Sequence, residues 1–348
     1  MVRVAPGREV VKGTPLCSVS DQRMHELSGL VALEGGYATL SDSNPDPSLV
    51  KVFFLGPDCR LTRSVGFPEP ARDPEDLALA PDGALWVADV GDNANAKTHR
   101  TSVSVWRLPP GGSRLTGYQL TYPDGHHDAE AMLIDHDGLP VIVTKDVTGL
   151  SRIYKPTGQL ATGGGMTALA LVGRFSARIT GTSNPFGLAG QLAVTGAAVS
   201  PDRGRVVLRT YADAYEFDVS GGDVVAALST GSPRITPLPD ETQGEGITYT
   251  RDGAAFVTVS DAAVAVPLLR YQRQAAEPTS APGSPAAGSP GAAAGGTGSP
   301  GTTASRAGAA LARLVSGGSR NLVATGLVAA GVLMVIGLML ARRRTRTG

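Results

Sequence analysis

What most narrows the fold of this chain is a pattern that occurs five times. A polar or acidic residue opens an apolar run, a glycine follows eight or nine positions on, and a second apolar run leads towards an aspartate. The copies run from Ser28 to Gly36 and Asp42, Glu75 to Gly83 and Asp89, Glu130 to Gly138 and Asp146, Thr195 to Gly204 and Asp213, and Glu245 to Gly253 and Asp261. Each predicts a β-hairpin: Asp-Gly between apolar runs is a strong hairpin signal, and the expected type I′ turn needs φ > 0 at both central residues. The openings at 28, 75, 130, 195 and 245 are 47, 55, 65 and 50 residues apart, the length of a four-stranded propeller blade. Running on from 245 to about 272 and re-entering near the N-terminus closes the circle with five blades. A strand over Val264–Tyr271 then lies beside the N-terminal segment. The alternative of six blades needs a degenerate one within 147–194, where Ser151–Lys155 and Ala168–Phe175 read as outer strands of the third.

The 348 residues include 45 Gly and only 2 Cys, and 1–275 shows no convincing amphipathic helix, as expected of an all-β ring of small sheets. Charged residues make up 18 %, and 31 Lys+Arg balance 31 Asp+Glu. With no basic footprint, nucleic-acid binding through phosphate contacts is not expected. The zero net charge conceals a split. Removing the seven arginines beyond residue 305, and Glu277, leaves 24 basic and 30 acidic residues in 1–275, a net of −6.

The domain plan is a propeller over 1–275, a Pro/Ala/Gly/Ser-rich linker over 276–320, a transmembrane helix over 321–341 and a basic tail over 342–348. From Ala276 to Ser305 the chain uses only Ala, Gly, Pro, Ser and Thr apart from Glu277, too little apolar surface to offset the entropy of ordering. Leu322 to Ala341 is an uncharged apolar run of 20 residues, enough for a helix to span a bilayer core of about 30 Å. Four arginines just after the span outweigh three spread before it, which favours a cytoplasmic C-terminus and an extracytoplasmic propeller. Met1–Asp21 shows no secretory signal: either the true start lies upstream, or the protein is tail-anchored and faces the cytosol.

In a propeller the strands bordering the channel open near one rim. Glu75 with Asp76, Glu130 with Asp128, and Glu245 therefore converge there. Carboxylates gathered in a partly desolvated funnel repel one another unless some protonate or a cation binds. Oxygen-only ligands point to a hard cation, Ca²⁺ before Mg²⁺ or Mn²⁺. The expected ligands are Glu75, Asp76, Glu130, Glu245 and Asn93, with Asp42, Asn44, Asp89, Asp92 and Asp128 on the rim beside Arg100, Lys145 and Arg209. Two plainer readings stand beside this. Each glutamate accepts backbone N–H bonds at its own hairpin, and Asp42, Asp89, Asp146 and Asp261 are turn formers.

The loop from Val90 to Arg100 is richer in polar acceptors than a connector needs. His126-His127-Asp128 is the densest titratable cluster, suited to a transition metal or a general base. Adjacent histidines on an extended chain face opposite ways, so the pair is badly placed for one ion. His25-Glu26 lacks the second histidine of a zincin helix, and neither a Gly-x-Ser-x-Gly elbow nor a P-loop is present. Cys17 and Cys59 are either a disulfide or two buried thiols.

Several of these segments resemble a known group. His25-Glu-Leu-Ser-Gly-Leu30, Ser41-Asp-Ser-Asn44, Pro74-Glu-Asp-Leu-Ala78, Val87-Ala-Asp-Val-Gly-Asp-Asn93 and Arg100 are similar to exported propeller proteins of high-GC Gram-positive bacteria, which look related to the SdiA-regulated and NHL-type propellers. Asp128-Ala-Glu-Ala131, Thr144-Lys145, Val194-Thr-Gly196, Ser200-Pro-Asp202, Leu208-Arg-Thr-Tyr211 and Gln243-Gly-Glu-Gly246 carry the likeness to about residue 265. The resemblance implies an exported propeller, bound calcium in the SdiA-regulated branch, and no established catalytic activity. Ala197 stands where relatives place an acid, which implies that the fourth blade gives no ligand.

The expected function is a membrane-anchored, extracytoplasmic binding or scaffold module with a divalent cation at the channel mouth, taking a protein, peptide or cell-wall polymer. The alternative is a calcium-dependent hydrolase of lactone or phosphoester type, with Asp128 or His127 as base. That alternative rests on analogy with more distant propellers, which is weak evidence for an activity.

Overall fold

The computed structural model describes residues 12–274, apart from 45, 94, 240, 263 and 264. The linker, the apolar run Leu322–Ala341 and the basic tail lie outside the described residues. Among the described residues no helix is long and apolar enough to cross a membrane.

Strand β1 (Thr14–Val19) is followed by β2 (Leu27–Leu33), β3 (Gly36–Ser41), β4 (Lys51–Leu55) and β5 (Leu61–Gly66), and β2 to β5 form one antiparallel sheet. A second array comprises β6 (Pro74–Leu79), β7 (Leu85–Asp89), β8 (Val103–Leu108) and β9 (Thr116–Thr121), and a third β10 (Ala129–Ile134), β11 (Pro140–Thr144), β12 (Leu150–Pro156) and β13 (Met166–Ser176). Parallel pairing of β13 with β9 joins these two at their outer edges. A short helix α1 (Gly187–Leu192) precedes the sheet of β14 (Val194–Val199), β15 (Arg205–Thr210), β16 (Asp213–Asp218) and β17 (Arg234–Pro237), with helix α2 (Val224–Thr230) between its last two strands. The final sheet runs β18 (Gly244–Tyr249), β19 (Ala255–Ser260), β20 (Val266–Gln272) and then β1. The expected closing strand is thus β20, paired antiparallel with the N-terminal strand.

The first strands of the arrays, β2, β6, β10, β14 and β18, contact one another in sequence, and β18 returns to β2. The described residues form an all-β propeller. Burial follows from this order: β6, β10 and β18 are enclosed by neighbouring sheets and are almost wholly buried, whereas the outer strand β5 alternates exposed residues with half-buried or buried ones. Alternation survives where one face meets water and vanishes where both are covered.

The hairpin turns differ from the expected type. Asp82, Asp137 and Asp252 do not have positive φ, and only Gly83, Gly138 and Gly253 are left-handed. Gly83 N–H donates to the Ala80 carbonyl, and each aspartate accepts from the amide two residues on, at 3.0 Å. These are type I turns closed by a left-handed residue rather than type I′ turns. In the fourth copy Arg203, at φ 56°, takes the left-handed place.

All five inner strands share one irregularity. The pairing register slips once near the start of each, leaving Gly29, Glu75, Glu130, Thr195 and Glu245 without a direct partner. A β-bulge of this kind re-aims a side chain and bends the strand. In the first copy only glycine fits: Gly29 has φ 52°, and a Cβ there would lie 2.7 Å from the Leu77 nitrogen.

Candidate functional site

Three of the five bulge positions carry glutamate, and all three side chains are buried. Around them sit residues that flank the same strands: Asp73 and Asp128 just before β6 and β10, and Asp42, Lys145 and Asp261 just after β3, β11 and β19. The Lys145 ammonium donates to Glu130 Oε1 and lies 5.2 Å from the centre of the Tyr211 ring. Gln243 Nε2 bridges Glu245 Oε1 at 3.0 Å and Asp261 Oδ2 at 2.8 Å. The fourth sheet adds no acid, because Thr195 donates its hydroxyl to the Gly244 carbonyl at 2.8 Å.

The mouth is therefore rich in carboxylates and poor in cations. Burial, then repulsion from Asp73, Glu130, Asp42 and Asp128, pushes the Glu75 carboxyl well above the usual range. Burial together with Glu26, Asp261, Asp73 and Glu245 does the same to Asp42. Burial works against the Lys145 ammonium, but Glu130, Tyr211, Glu245 and Asp128 outweigh it and hold its pKa well above that of an ordinary lysine. For Glu245 burial again dominates, Lys145 opposes it and Asp261 adds to it, and the carboxyl is pushed from 4.5 up to about 7.

A pH dependence follows. A carboxyl with a raised folded-state pKa favours folding in its protonated form, so its contribution is full below the unfolded value and is lost as pH rises through the folded one. For Glu245 that window runs from 4.5 to about 7. The metal-free protein is expected to lose thermal stability from pH 5 to pH 8, by about 3 kcal/mol at most from this residue, and Glu245→Gln to flatten the slope. Unfolding midpoints across that range check this, and a midpoint that rises with pH would contradict it.

Within this crowd several oxygens lack a protein partner. Asp42 Oδ1, Glu130 Oε2 and Glu245 Oε2 are buried and accept no hydrogen bond. Buried carboxylate oxygens without donors are costly unless protonated or bound to a cation.

Other expected ligands are placed elsewhere. The Asp76 oxygens are taken up by backbone amides: Oδ1 accepts from Leu77 at 2.8 Å, and Oδ2 from Met132 at 2.9 Å and Ala197 at 3.1 Å. It pins strands together and does not join the mouth cluster. Asn44 caps its own loop, accepting from the Asp46 amide and donating to the Arg23 carbonyl. Asn93 donates towards Asp73 Oδ2 at 3.4 Å. Arg209 is wholly buried and paired with Glu241 at 2.8 Å, a partner that the hairpin pattern did not flag. Arg100 donates to Asp89 Oδ1 at 2.9 Å and to the Gly91 carbonyl at 3.0 Å, clamping the base of the 90–102 loop. Asp89 also accepts from the amides of Arg72 and Asp73, so it holds a neighbouring loop and not its own turn. Asp146 is a turn former, accepting from the Thr148 amide at 2.8 Å.

The two adjacent histidines do diverge. His127 Nε2 lies 2.9 Å from Asp124 Oδ1 and 2.8 Å from the Tyr154 hydroxyl. His126 instead stacks on His99, with ring centres 3.5 Å apart and planes at 5°. Asp128 Oδ1 accepts the Asp92 amide at 3.0 Å. Sequence spacing alone gave no sign of the His99–His126 contact, because the two residues sit in different loops.

No family model matches the chain, and no curated protein matches it. Among solved structures, a virginiamycin B lyase from Staphylococcus aureus has 12 % identity and a TM-score of 0.33 over 70 % of this chain and 66 % of its own, so the chain spans just under two thirds of that lyase. A gluconolactonase from Xanthomonas campestris has 16 % identity and a TM-score of 0.39 over 70 % of this chain and 71 % of its own. A glucose dehydrogenase has 12 % identity and a TM-score of 0.39, covering 76 % of this chain and all of the dehydrogenase. The propeller architecture rests on this chain's own strand pairing.

Proposed function

We propose that this chain is a five-bladed propeller, held at a membrane outside the cytoplasm by its C-terminal segment, and that it acts as a binding module with a hard divalent cation, Ca²⁺ first, at the channel mouth. The observation that carries the cation is the set of buried, unpartnered oxygens on Asp42, Glu130 and Glu245. Glu75, whose carboxyl is raised by burial and by its acidic neighbours, completes the donor set. Oxygen-only donors of this kind suit Ca²⁺, which accepts irregular coordination. When bound, the ion supplies a positive centre that an anionic group on a protein, peptide or cell-wall polymer can share. The extracytoplasmic placement is supported by the Cys17–Cys59 disulfide, a bond that persists in oxidising compartments, and by the arginines after Leu322–Ala341.

The hydrolase alternative has less support. The bases that it needs are engaged, His127 by Asp124 and Tyr154 and Asp128 by the Asp92 amide.

Saturating Ca²⁺ is expected to raise the unfolding midpoint, by about 2.7 kcal/mol of added stability at one hundred times the Kd. Chelator reverses the gain, and replacing Glu75, Glu130 and Glu245 together by Gln abolishes it. A calcium shift that survives the triple replacement would move the ion elsewhere. Protease digestion of intact cells tests the topology, since a propeller facing inward survives.

A further inference from the structure

Beside the mouth lies a cluster of different chemistry, and we infer that it is a second metal site, selective for a borderline divalent transition ion such as Zn²⁺, Co²⁺ or Ni²⁺. Its ligands are Asp92, His99 and His126, whose donor atoms all lie within 4.8 Å of one another. Asp92 and His99 come from the two ends of the loop between β7 and β8, and His126 from the loop between β9 and β10. The fold alone brings them together.

The carboxylate is held in place before any ion arrives. Asp92 is buried, its amide donates to Asp128 Oδ1 at 3.0 Å, and its Oδ2 accepts from the Arg100 amide at 3.0 Å. Arg100 is itself fixed by Asp89, so the loop closes around Asp92 as a rigid base. Both imidazoles turn Nδ1 towards that carboxylate, His99 at 3.3 Å from Oδ1 and His126 at 3.9 Å from Oδ2.

Two imidazole nitrogens and one carboxylate oxygen suit Zn²⁺, Co²⁺ or Ni²⁺ better than Ca²⁺. Bonds of about 2.0–2.2 Å in a tetrahedron set ligand atoms roughly 3.3–3.6 Å apart, with the ion in the plane of each imidazole, so binding needs a ring rotation that breaks the parallel His99–His126 stack and closes a gap of at most 4.8 Å. His126, with half of its side chain exposed, has the freedom to supply it. Three protein ligands leave a fourth position for water or an exchangeable ligand, as in open zinc sites. The competing explanation is a stacked histidine pair sharing a charge with Asp92, which predicts no stoichiometric metal.

The full chain, free of any affinity tag and in detergent, would be titrated with Zn²⁺ by calorimetry and with Co²⁺ by its visible absorption. One Zn²⁺ per chain is expected, with Co²⁺ bands of an ordered nitrogen and oxygen site. His99→Ala and His126→Ala should each weaken Zn²⁺ by more than the roughly 10–100-fold typical of losing an outer-shell partner. Both variants should keep the Ca²⁺ response of the mouth, which also reports that they fold. Glu75→Gln with Glu245→Gln should lose the Ca²⁺ response and keep the Zn²⁺ site. Zn²⁺ affinity unchanged in His126→Ala, the more exposed ligand, or no stoichiometric Zn²⁺ in the parent chain, would overturn the inference and leave the calcium reading untouched.

Discussion

Replacing Asp76 by Ala is expected to destabilise the propeller by roughly 3–9 kcal/mol, the cost of leaving three buried amides without an acceptor at about 1–3 kcal/mol each. The residue is fully buried, and its carboxylate ties the second array to Met132 of the third and Ala197 of the fourth, which is why the effect is large. Burial pushes its carboxyl well above the usual range although those same amides pull it down. Asp76→Asn keeps one oxygen to face Met132 and Ala197 and gives up the bond to Leu77, so it should cost only about 1–2 kcal/mol. Urea unfolding of the two variants checks this. Equal losses would show that charge matters at this position and the acceptor geometry does not.

Removing the disulfide gives the other large effect. Cys17 lies on β1, the strand that closes the ring, and Cys59 in the turn between β4 and β5 of the first sheet. The bond closes a loop with a sequence separation of 42. Loop-closure entropy for that length amounts to about 4 kcal/mol in the chain-entropy model. Replacing both cysteines by Ser should lower the unfolding free energy by about that much, as read from urea titrations. A loss below about 1 kcal/mol would mean that the packing of Val19, Leu27, Phe53, Leu268 and their neighbours holds the seam without covalent help.

The hairpin repeat was legible because its cause is local. A glycine in a left-handed turn and two apolar runs can be read from adjacent letters, and the openings at Glu75, Glu130 and Glu245 mark the strands that border the channel. The pairing of β1 with β20 was likewise legible, since the circle needed a final strand. What escaped depends on contacts between distant segments. Asp76 looked like a ligand by its neighbour Glu75, yet alternation along the strand separates the two, and its partners are amides 56 and 121 residues away. Arg209 looked like a rim cation and is buried against Glu241. Asp89 looked like a turn former and braces a neighbouring loop. The turn type was missed for a smaller reason: Asp-Gly serves both turn families, and only the φ of the aspartate separates them.

The slip in register that opens every inner strand gives the mouth a simple grammar. Each sheet contributes a single letter at positions 29, 75, 130, 195 and 245, aimed by the same backbone device. At present those letters spell glycine, glutamate, glutamate, threonine and glutamate. Such a ring can change its chemistry one letter at a time while the scaffold stays fixed. The freedom is unequal, because the first position is barred to any side chain by the Leu77 backbone and the fourth is tied to Gly244. Change of chemistry is therefore confined to the second, third and fifth positions: Glu75 and Glu130 adjoin, whereas Glu245 stands alone between the two closed positions, so the ring is acidic across three sheets in two separate arcs.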